Sequence, residues 1–380
     1  MDVGLLEPRH RALAALTREA VRELEPSASS PVDSELARQI ARLGAYRYLV
    51  PARHGGMNEQ VEARAICVLR EELAYRSAKA DSIFGSQGLG SHPILLAGSD
   101  DQREQFLPSV ANGNVLFAFA LTEPQAGSDV AALSSSARRQ GGEYVLNGSK
   151  RFISNAGIAT HYTLFARTAP GKNGVSAFII PRDAPGLLIH SNLELLSEHP
   201  IGELELKECR VPITALIGLE GEGLKLAFKT LDVFRATVGA AAVGMARRAL
   251  DEAVAYAQAR QQFGAPLAAL QGVQFLLAES AVELEAATLL VHRSAAVKDE
   301  GADRVSFESA VAKYFATEAA QRIIDRCLQI HGGNGLIKNS PMERLYRDIR
   351  GLRIYEGASE VQKVLIARHL LNTAGASVKS

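Results

Sequence analysis

Apolar residues recur at helical spacing through the first part of the chain. Leu13, Leu16, Ala20, Val21 and Leu24 form one stripe, and Ile66, Leu69 and Leu73 form another. The stretch 26–31, bounded by prolines, breaks the first run, and His54-Gly55-Gly56 marks a further turn. Ser99 followed by Asp100 and Asp101 suits a helix start, because the hydroxyl caps free amides and the acids favour the positive end of the dipole. That helix should end at Asn112-Gly113-Asn114. Residues 1–115 therefore read as an N-terminal α-helical domain.

The period then changes. Short apolar or alternating runs occupy 115–121, 143–146, 162–166, 175–180, 186–190 and 202–206, separated by turns such as Gln140-Gly141-Gly142 and Asn147-Gly148-Ser149. They predict a small antiparallel β-barrel or sandwich over 116–220. From Gly221 the spacing is helical again, with long Ala- and Leu-rich elements at 222–259, about 268–299 and 303–331, and a shorter one after Glu356. Helices this long need partners along their length, which predicts a C-terminal four-helix bundle over 221–380. Alanine all round them points to burial on more than one face, with other subunits among the partners. The tail 373–380 reads as frayed. The fold class expected is mainly α with a central β domain.

Composition narrows the function classes. Lys plus Arg equals Asp plus Glu, at 42 each, so no global field draws the chain to nucleic acid or to a membrane surface. Cys67, Cys209 and Cys327 are dispersed and odd in number, which fits small buried side chains in a reducing compartment. Neither they nor the histidines have metal-ligand spacing, so no metal is expected. The N-terminus lacks the basic start and apolar core of a signal peptide, and no apolar run is long enough to span a membrane. A soluble, cytoplasmic protein is expected. Neither a Rossmann glycine fingerprint nor a phosphate-binding P-loop is present, so a nucleotide cofactor would be held some other way.

Chemistry concentrates in four stretches. Near the C-terminus Glu356 sits between Tyr355 and Gly357. A carboxylate beside an uncovered glycine amide supplies what proton abstraction next to a carbonyl needs, a base and a donor for the enolate oxygen. A solvated loop acid is the plainer reading. The loop Thr122-Glu123-Pro124-Gln125-Ala126-Gly127-Ser128-Asp129 follows a strand and gathers amides and hydroxyls; it reads equally as an anion- or ring-binding nest or as an acidic turn. Phe152 and Ser154, two apart on a strand, should share a face, either against a flat ring or in the core. Gln329-Ile330-His331-Gly332-Gly333-Asn334-Gly335 ends a helix in glycines, which serve as a C-cap or let a pyrophosphate approach.

Taken with Arg260-Gln261-Gln262-Phe263-Gly264, Asn339, Glu343-Arg344-Leu345-Tyr346-Arg347-Asp348 and the run from Ile354 to Glu360, these blocks resemble the acyl-CoA dehydrogenase family of FAD-dependent flavoproteins. The resemblance covers almost the whole chain and implies the same helix–β–helix architecture. It also implies roles. Phe119, Leu121, Thr122, Gly127 and Ser128 would line the isoalloxazine ring. Phe152 would stack near it and Ser154 would bond near its N5, where many relatives carry Trp and Thr. Arg260, Phe263, Gln271, Gln329 and Gly333 would hold the FAD diphosphate and adenosine, partly across a subunit boundary of a homo-oligomer, tetramer or dimer. Ala358, Ser359 and Glu360 would contact FAD near the base. Ser128, Asp232 and Arg235 would lie near the thioester and pantetheine.

Some members carry the base one residue before the arginine that is Arg235 here, but that position is Phe234, which leaves Glu356, with the Gly357 amide, as the catalytic pair. The implied reaction is conversion of an acyl-CoA to the trans-2-enoyl-CoA, with electron-transfer flavoprotein as acceptor. The segment 195–205 departs from the family by lacking an Arg-Gly/Ala-Ser run, which keeps an acyl-carrier-protein substrate open as an alternative. A flavin oxidase using oxygen and a catalytically degenerate flavin-binding scaffold are the others. The small residues of 82–92 suggest either room for an acyl chain or close core packing.

Overall fold

The structure, a computed structural model, describes residues 4–24, 33–190 and 193–377, without the side chains of Lys172 and 373–377. The expected break at 26–31 and the last three residues of the tail lie outside the described residues. In chain order come α1 (Pro8–Ala20), α2 (Asp33–Arg42), α3 (Ala63–Arg76), α4 (Ala78–Ala97) and α5 (Asp100–Ala111). The strands are β1 (Phe117–Ala120), β2 (Ser136–Gln140), β3 (Glu143–Ser154), β4 (His161–Arg167), β5 (Val175–Pro181), β6 (Leu187–His190), β7 (Ile201–Pro212) and β8 (Leu216–Ile217). Next are α6 (Gly223–Ala259), the two-residue strands β9 (Gln261–Gln262) and β10 (Ala265–Pro266), α7 (Gln271–Asp299), α8 (Ser306–His331), α9 (Pro341–Leu352) and α10 (Ser359–Ser377). Helix, sheet, helix is the predicted order. Helix α10 continues through Ser377, further than the expected fraying at 373.

Two compact units are formed, one drawn from Ser30–Glu62 and Lys79–Phe234, the other from Met1–Ser29, Ala63–Ala78 and Arg235–Ser380. The first holds the sheet, in the order β6-β7-β3-β2-β4-β5-β8 with β1 against β4. It is mixed rather than wholly antiparallel, because β1 and β2 both run parallel to β4. Residues alternate between two cores: Ala118, Leu164, Phe178 and Ile180 face one, while Phe117, Phe165, Ala177 and Ile179 face the other with Ile94 of α4 and Phe106 of α5. Burial on both faces explains why β4 and β5 are nearly continuous apolar runs. Ser99 caps α5 as predicted, accepting from the Gln102 amide at 3.1 Å while Gln102 Oε1 accepts from the Ser99 amide at 3.0 Å.

The small residues of α4 serve close packing. A Cβ on Gly90 would lie 2.7 Å from Phe117 Cβ, and one on Gly88 would meet the Phe234 ring. At these two positions the close-packing reading of the small residues holds.

In the helical unit, α6 is buried all round from Arg235 to Ala246 and partly exposed beyond. Its Ala241, Ala242, Ala246 and Ala249 share a core with Ala319, Ala320, Ile323 and Ile324 of α8, and Ala240 shares another with Ala63, Cys67 and Val291. At Gly244 the helix runs against the backbone of α3. The three cysteines are free and buried.

Candidate active site

The helical unit carries Glu356. Helix α9 begins with the Ser340 hydroxyl accepting from the Glu343 amide at 3.3 Å and with Pro341 at its first positions. The turn between α9 and α10 is closed by its own bonds. The Ser359 amide donates to the Arg353 carbonyl at 3.1 Å, the Arg353 guanidinium pairs with Glu318 of α8 at 2.7 Å, and the Ser359 hydroxyl donates to the same carboxylate at 2.6 Å. Within that frame Glu356 has φ 53 and Gly357 φ 91. Left-handed backbone is rare for a glutamate and persists only where surrounding contacts impose it. Glycine is required next to it, since a Cβ would lie 2.4 Å from Gln362 Nε2.

The Gly357 carbonyl accepts from both Gln362 Nε2 and Lys313 Nζ at 2.8 Å. Its amide is half-buried, and no protein acceptor for it is found among the described residues. The Glu356 carboxylate is 11% exposed, with Arg70 Nη1 of α3 at 3.9 Å. Arg70 also donates to Thr237 Oγ1 of α6 at 3.0 Å. Burial pushes the Lys313 ammonium down to about 8, against the pull of the Glu356 charge. The acid is thus set in a buried, polar frame rather than in solvent.

The sheet unit carries the second group. Glu123 points inward. Its carboxylate accepts from Lys150 Nζ at 2.7 Å, the Ser134 amide and hydroxyl at 2.6 and 3.0 Å, and the Ser135 amide at 3.0 Å. Lys150 also donates to the Leu121 carbonyl at 3.2 Å. This knot ties the 121–135 loop to β3 and leaves Gly127 and Ser128 exposed, with open space around Gly127. Thr122 and Phe119 are half-buried and Leu121 is buried.

Phe152 and Ser154 flank the buried Ile153, and neither is itself buried. The pairing of β3 with β7 slips between Lys150 and Ile153, and Phe152 takes φ 55. Its ring is 52% exposed with the Arg151 guanidinium 5.1 Å from its centre, so it is not a core side chain. Ser154 is half-buried, its Oγ 2.7 Å from His199 Nε2.

Arg260, Phe263, Gln271, Gln329 and Gly333 are all exposed, Phe263 at φ 52 and 92% exposure. Gly332 ends α8 as a cap, as one reading of the glycine run predicts. Ala358 is half-buried, Ser359 buried and Glu360 exposed, while Asp232 and Arg235 are buried one turn apart on α6. Phe234 lies edge-on to His92, ring centres 5.5 Å apart. No cluster of metal-ligating side chains occurs among the described residues.

Residues 7–114, 118–209 and 221–371 match the N-terminal, middle and C-terminal domains of acyl-CoA dehydrogenase. Cyclohexane-1-carbonyl-CoA dehydrogenase of Geobacter metallireducens is 36% identical over 373 residues, 96% of this chain and 98% of that protein. The chain belongs to the acyl-CoA dehydrogenase family. The 3-(aryl)acrylate reductase of Clostridium sporogenes is 38% identical over 374 residues, again 96% and 98%. The solved butyryl-CoA dehydrogenase of Megasphaera elsdenii has a TM-score of 0.93 at 32% identity, over 98% of this chain and all of that one. As an acyl-CoA dehydrogenase the protein is an FAD-dependent oxidoreductase. The residues of the sheet unit fit a flavin: an exposed aromatic ring at Phe152, a hydroxyl two residues on, and open backbone at Gly127.

Of the six non-glycine residues with positive φ among the described residues, Phe152, Phe263 and Glu356 are among the site residues named from sequence. Arg70, Lys313, Lys150 and His199 are not. Arg70 is one cation in the buried run of α3, a usable signal, and His199 falls inside the departing segment 195–205. Lys150 and Lys313 carry no such mark.

Proposed function

We propose that this enzyme introduces an α,β double bond into an acyl thioester, with Glu356 as the α-proton base and the Gly357 amide as donor to the thioester oxygen. The observation that carries the reading is the paired left-handed backbone at Glu356 and Gly357, which sets a buried carboxylate beside an available amide. The α C–H breaks and its proton passes to the Glu356 carboxylate, while the β-hydrogen leaves with its electron pair as the double bond forms. FAD, when bound, supplies the acceptor for that hydride. An α-proton is too weakly acidic for a carboxylate alone, so the amide must carry part of the developing oxygen charge; such a donor contributes about 3 kcal/mol. Phe234 offers no proton-accepting group, so the work falls to Glu356.

Phe119, Leu121, Thr122, Gly127, Ser128, Phe152 and Ser154 would hold the flavin ring, and Ala358, Ser359 and Glu360 would meet FAD near the base. Arg260, Phe263, Gln271, Gln329 and Gly333 would serve the diphosphate and adenosine of a second copy in a homo-oligomer. Ser128, Asp232 and Arg235 would face the thioester and pantetheine. Electron-transfer flavoprotein is the proposed acceptor.

Anaerobic titration with a panel of acyl-CoAs, followed by flavin absorbance, tests this. Wild type should bleach with at least one thioester, and Glu356→Gln should keep FAD while losing bleaching by at least about a thousandfold, the effect of removing a general base and its proton path. Unchanged reduction in the variant would sink the assignment. Bleaching by acyl-carrier-protein thioesters alone would move the substrate to that carrier. Rapid reoxidation by oxygen would make the enzyme an oxidase.

A further inference from the structure

The segment that departs from the family pattern, 195–205, supplies His199, a half-buried residue whose imidazole lies between two hydroxyls of the sheet unit. Nδ1 lies 2.8 Å from Ser82 Oγ of α4, and Nε2 lies 2.7 Å from Ser154 Oγ at the end of β3. The backbone beside them joins the same three segments. Asn155, fully buried at φ 63, donates its amide to the Pro200 carbonyl at 2.6 Å and its side-chain amide to the Ile83 carbonyl at 3.1 Å. His199 and Ser154 are thus held as one body with α4. Burial pushes the His199 imidazole down to about 4, so the ring is neutral at physiological pH.

A neutral imidazole has one donor and one acceptor nitrogen, which leaves two arrangements of this chain. With the proton on Nε2, the ring donates to Ser154, the Ser82 hydroxyl donates to Nδ1, and the Ser154 proton is free for a ligand. With the proton on Nδ1, the ring donates to Ser82, Ser154 donates to Nε2, and only its lone pairs remain for a ligand. A β-branched threonine at this position would be stiff about χ1. Serine is not, so the bond to His199 replaces a restraint that the side chain lacks.

We propose that His199, seated by Ser82, is a positioning residue that fixes the Ser154 hydroxyl and sets whether it offers a proton or a lone pair to the flavin. This rests on the reading that puts Ser154 at the redox-active edge of the ring. An oxidised flavin presents a bare ring nitrogen there and a reduced one an N–H, so the order imposed on the hydroxyl weighs one oxidation state against the other.

The test is equilibrium reduction of the purified FAD-loaded proteins against reference dyes, together with their visible absorption spectra. His199→Phe should keep FAD and change the oxidised-to-reduced ratio at a given potential about tenfold, which is about 30 mV for a two-electron couple. His199→Gln, which retains one amide able to reach Ser154, should change it less. Adding Ser154→Thr to His199→Phe should return the ratio toward wild type. If Ser154→Ala alters both readouts and His199→Phe alters neither, the role given to His199 is wrong while the flavin site stands. If Ser154→Ala alters neither with FAD bound, Ser154 is not at the flavin and the underlying reading fails. Should His199→Phe not fold, Ser82→Ala reports in its place, with a smaller shift supporting the proposal and no shift overturning it.

Discussion

Two titratable groups, Glu123 and His199, make the sheet unit sensitive to acid in successive windows. Burial works to raise the Glu123 carboxyl, but the charge and hydrogen bond of Lys150, with those of Ser134 and Ser135, hold it at about 2, below its ordinary 4.5. A depressed carboxyl stabilises the fold above its unfolded value, and that contribution is lost as pH falls from about 4.5 to about 2. His199 is depressed from 6.5 to about 4 by burial, so the unfolded chain takes up its proton first and stability falls between those values. Denaturant unfolding of the FAD-loaded protein should therefore show one loss between pH 6.5 and 4 and a second below 4.5. His199→Gln should reduce the first loss and leave the second, the remainder of the first belonging to His161, which burial also pushes down; an undiminished first loss in the variant would refute its assignment to His199. Glu356 stood out in the sequence as a candidate because its neighbours form a recognisable block. Its setting was not, since Arg70 and Lys313 reach it only through the packing of α3 and α8 against α6.

Along the elements, periodicity located the long helices to within a few residues and most of the strands. It missed β2, whose Ser136–Gln140 reads Ser-Ala-Arg-Arg-Gln and has one buried side chain, because a polar strand has no alternation to detect. The parallel pairings of β4 were also hidden, since neighbours are chosen by the whole sheet and not by one strand's residues. The slip in β3 beside Phe152 was hidden for the same reason: register belongs to the pair. Helix α6 offers a test at this scale. In an exposed helix Gly→Ala gains about 1 kcal/mol. At Gly244 the new Cβ would meet the backbone carbonyl of Glu71, so Gly244→Ala should instead lose about 1–3 kcal/mol in equilibrium unfolding. A stabilised variant would mean that α3 can yield there.

For the molecule as a whole, apolar side chains left in water call for a cover. Phe275 and Val282 on α7, Leu336 and Ile337 after α8, and Leu371 on α10 are more than half exposed on the helical unit, in addition to Phe263. Exposed apolar surface on this scale marks an interface, which supports a homo-oligomer of tetramer or dimer size. Light scattering or native mass spectrometry should give that mass, and Phe275→Glu with Val282→Glu should shift it toward monomer; a monomeric wild type would remove the proposal.

The assignment of α3 to the helical unit has a consequence for how the chain is made. A ribosome releases Ala63–Arg76, nearly all of which ends up buried, long before Arg235 and the helices that bury it have emerged. Until then α3 has only α1 to pack on, where Arg18 pairs with Glu72 at 2.9 Å, and Glu71 waits for its partner His292 of α7. Folding from the N-terminus, the usual order for nascent chains, cannot complete the first helices here. A fragment ending at residue 220 should be degraded or aggregate under pulse proteolysis where the full chain resists. A protease-resistant fragment would show that α3 finds shelter earlier than its final contacts imply.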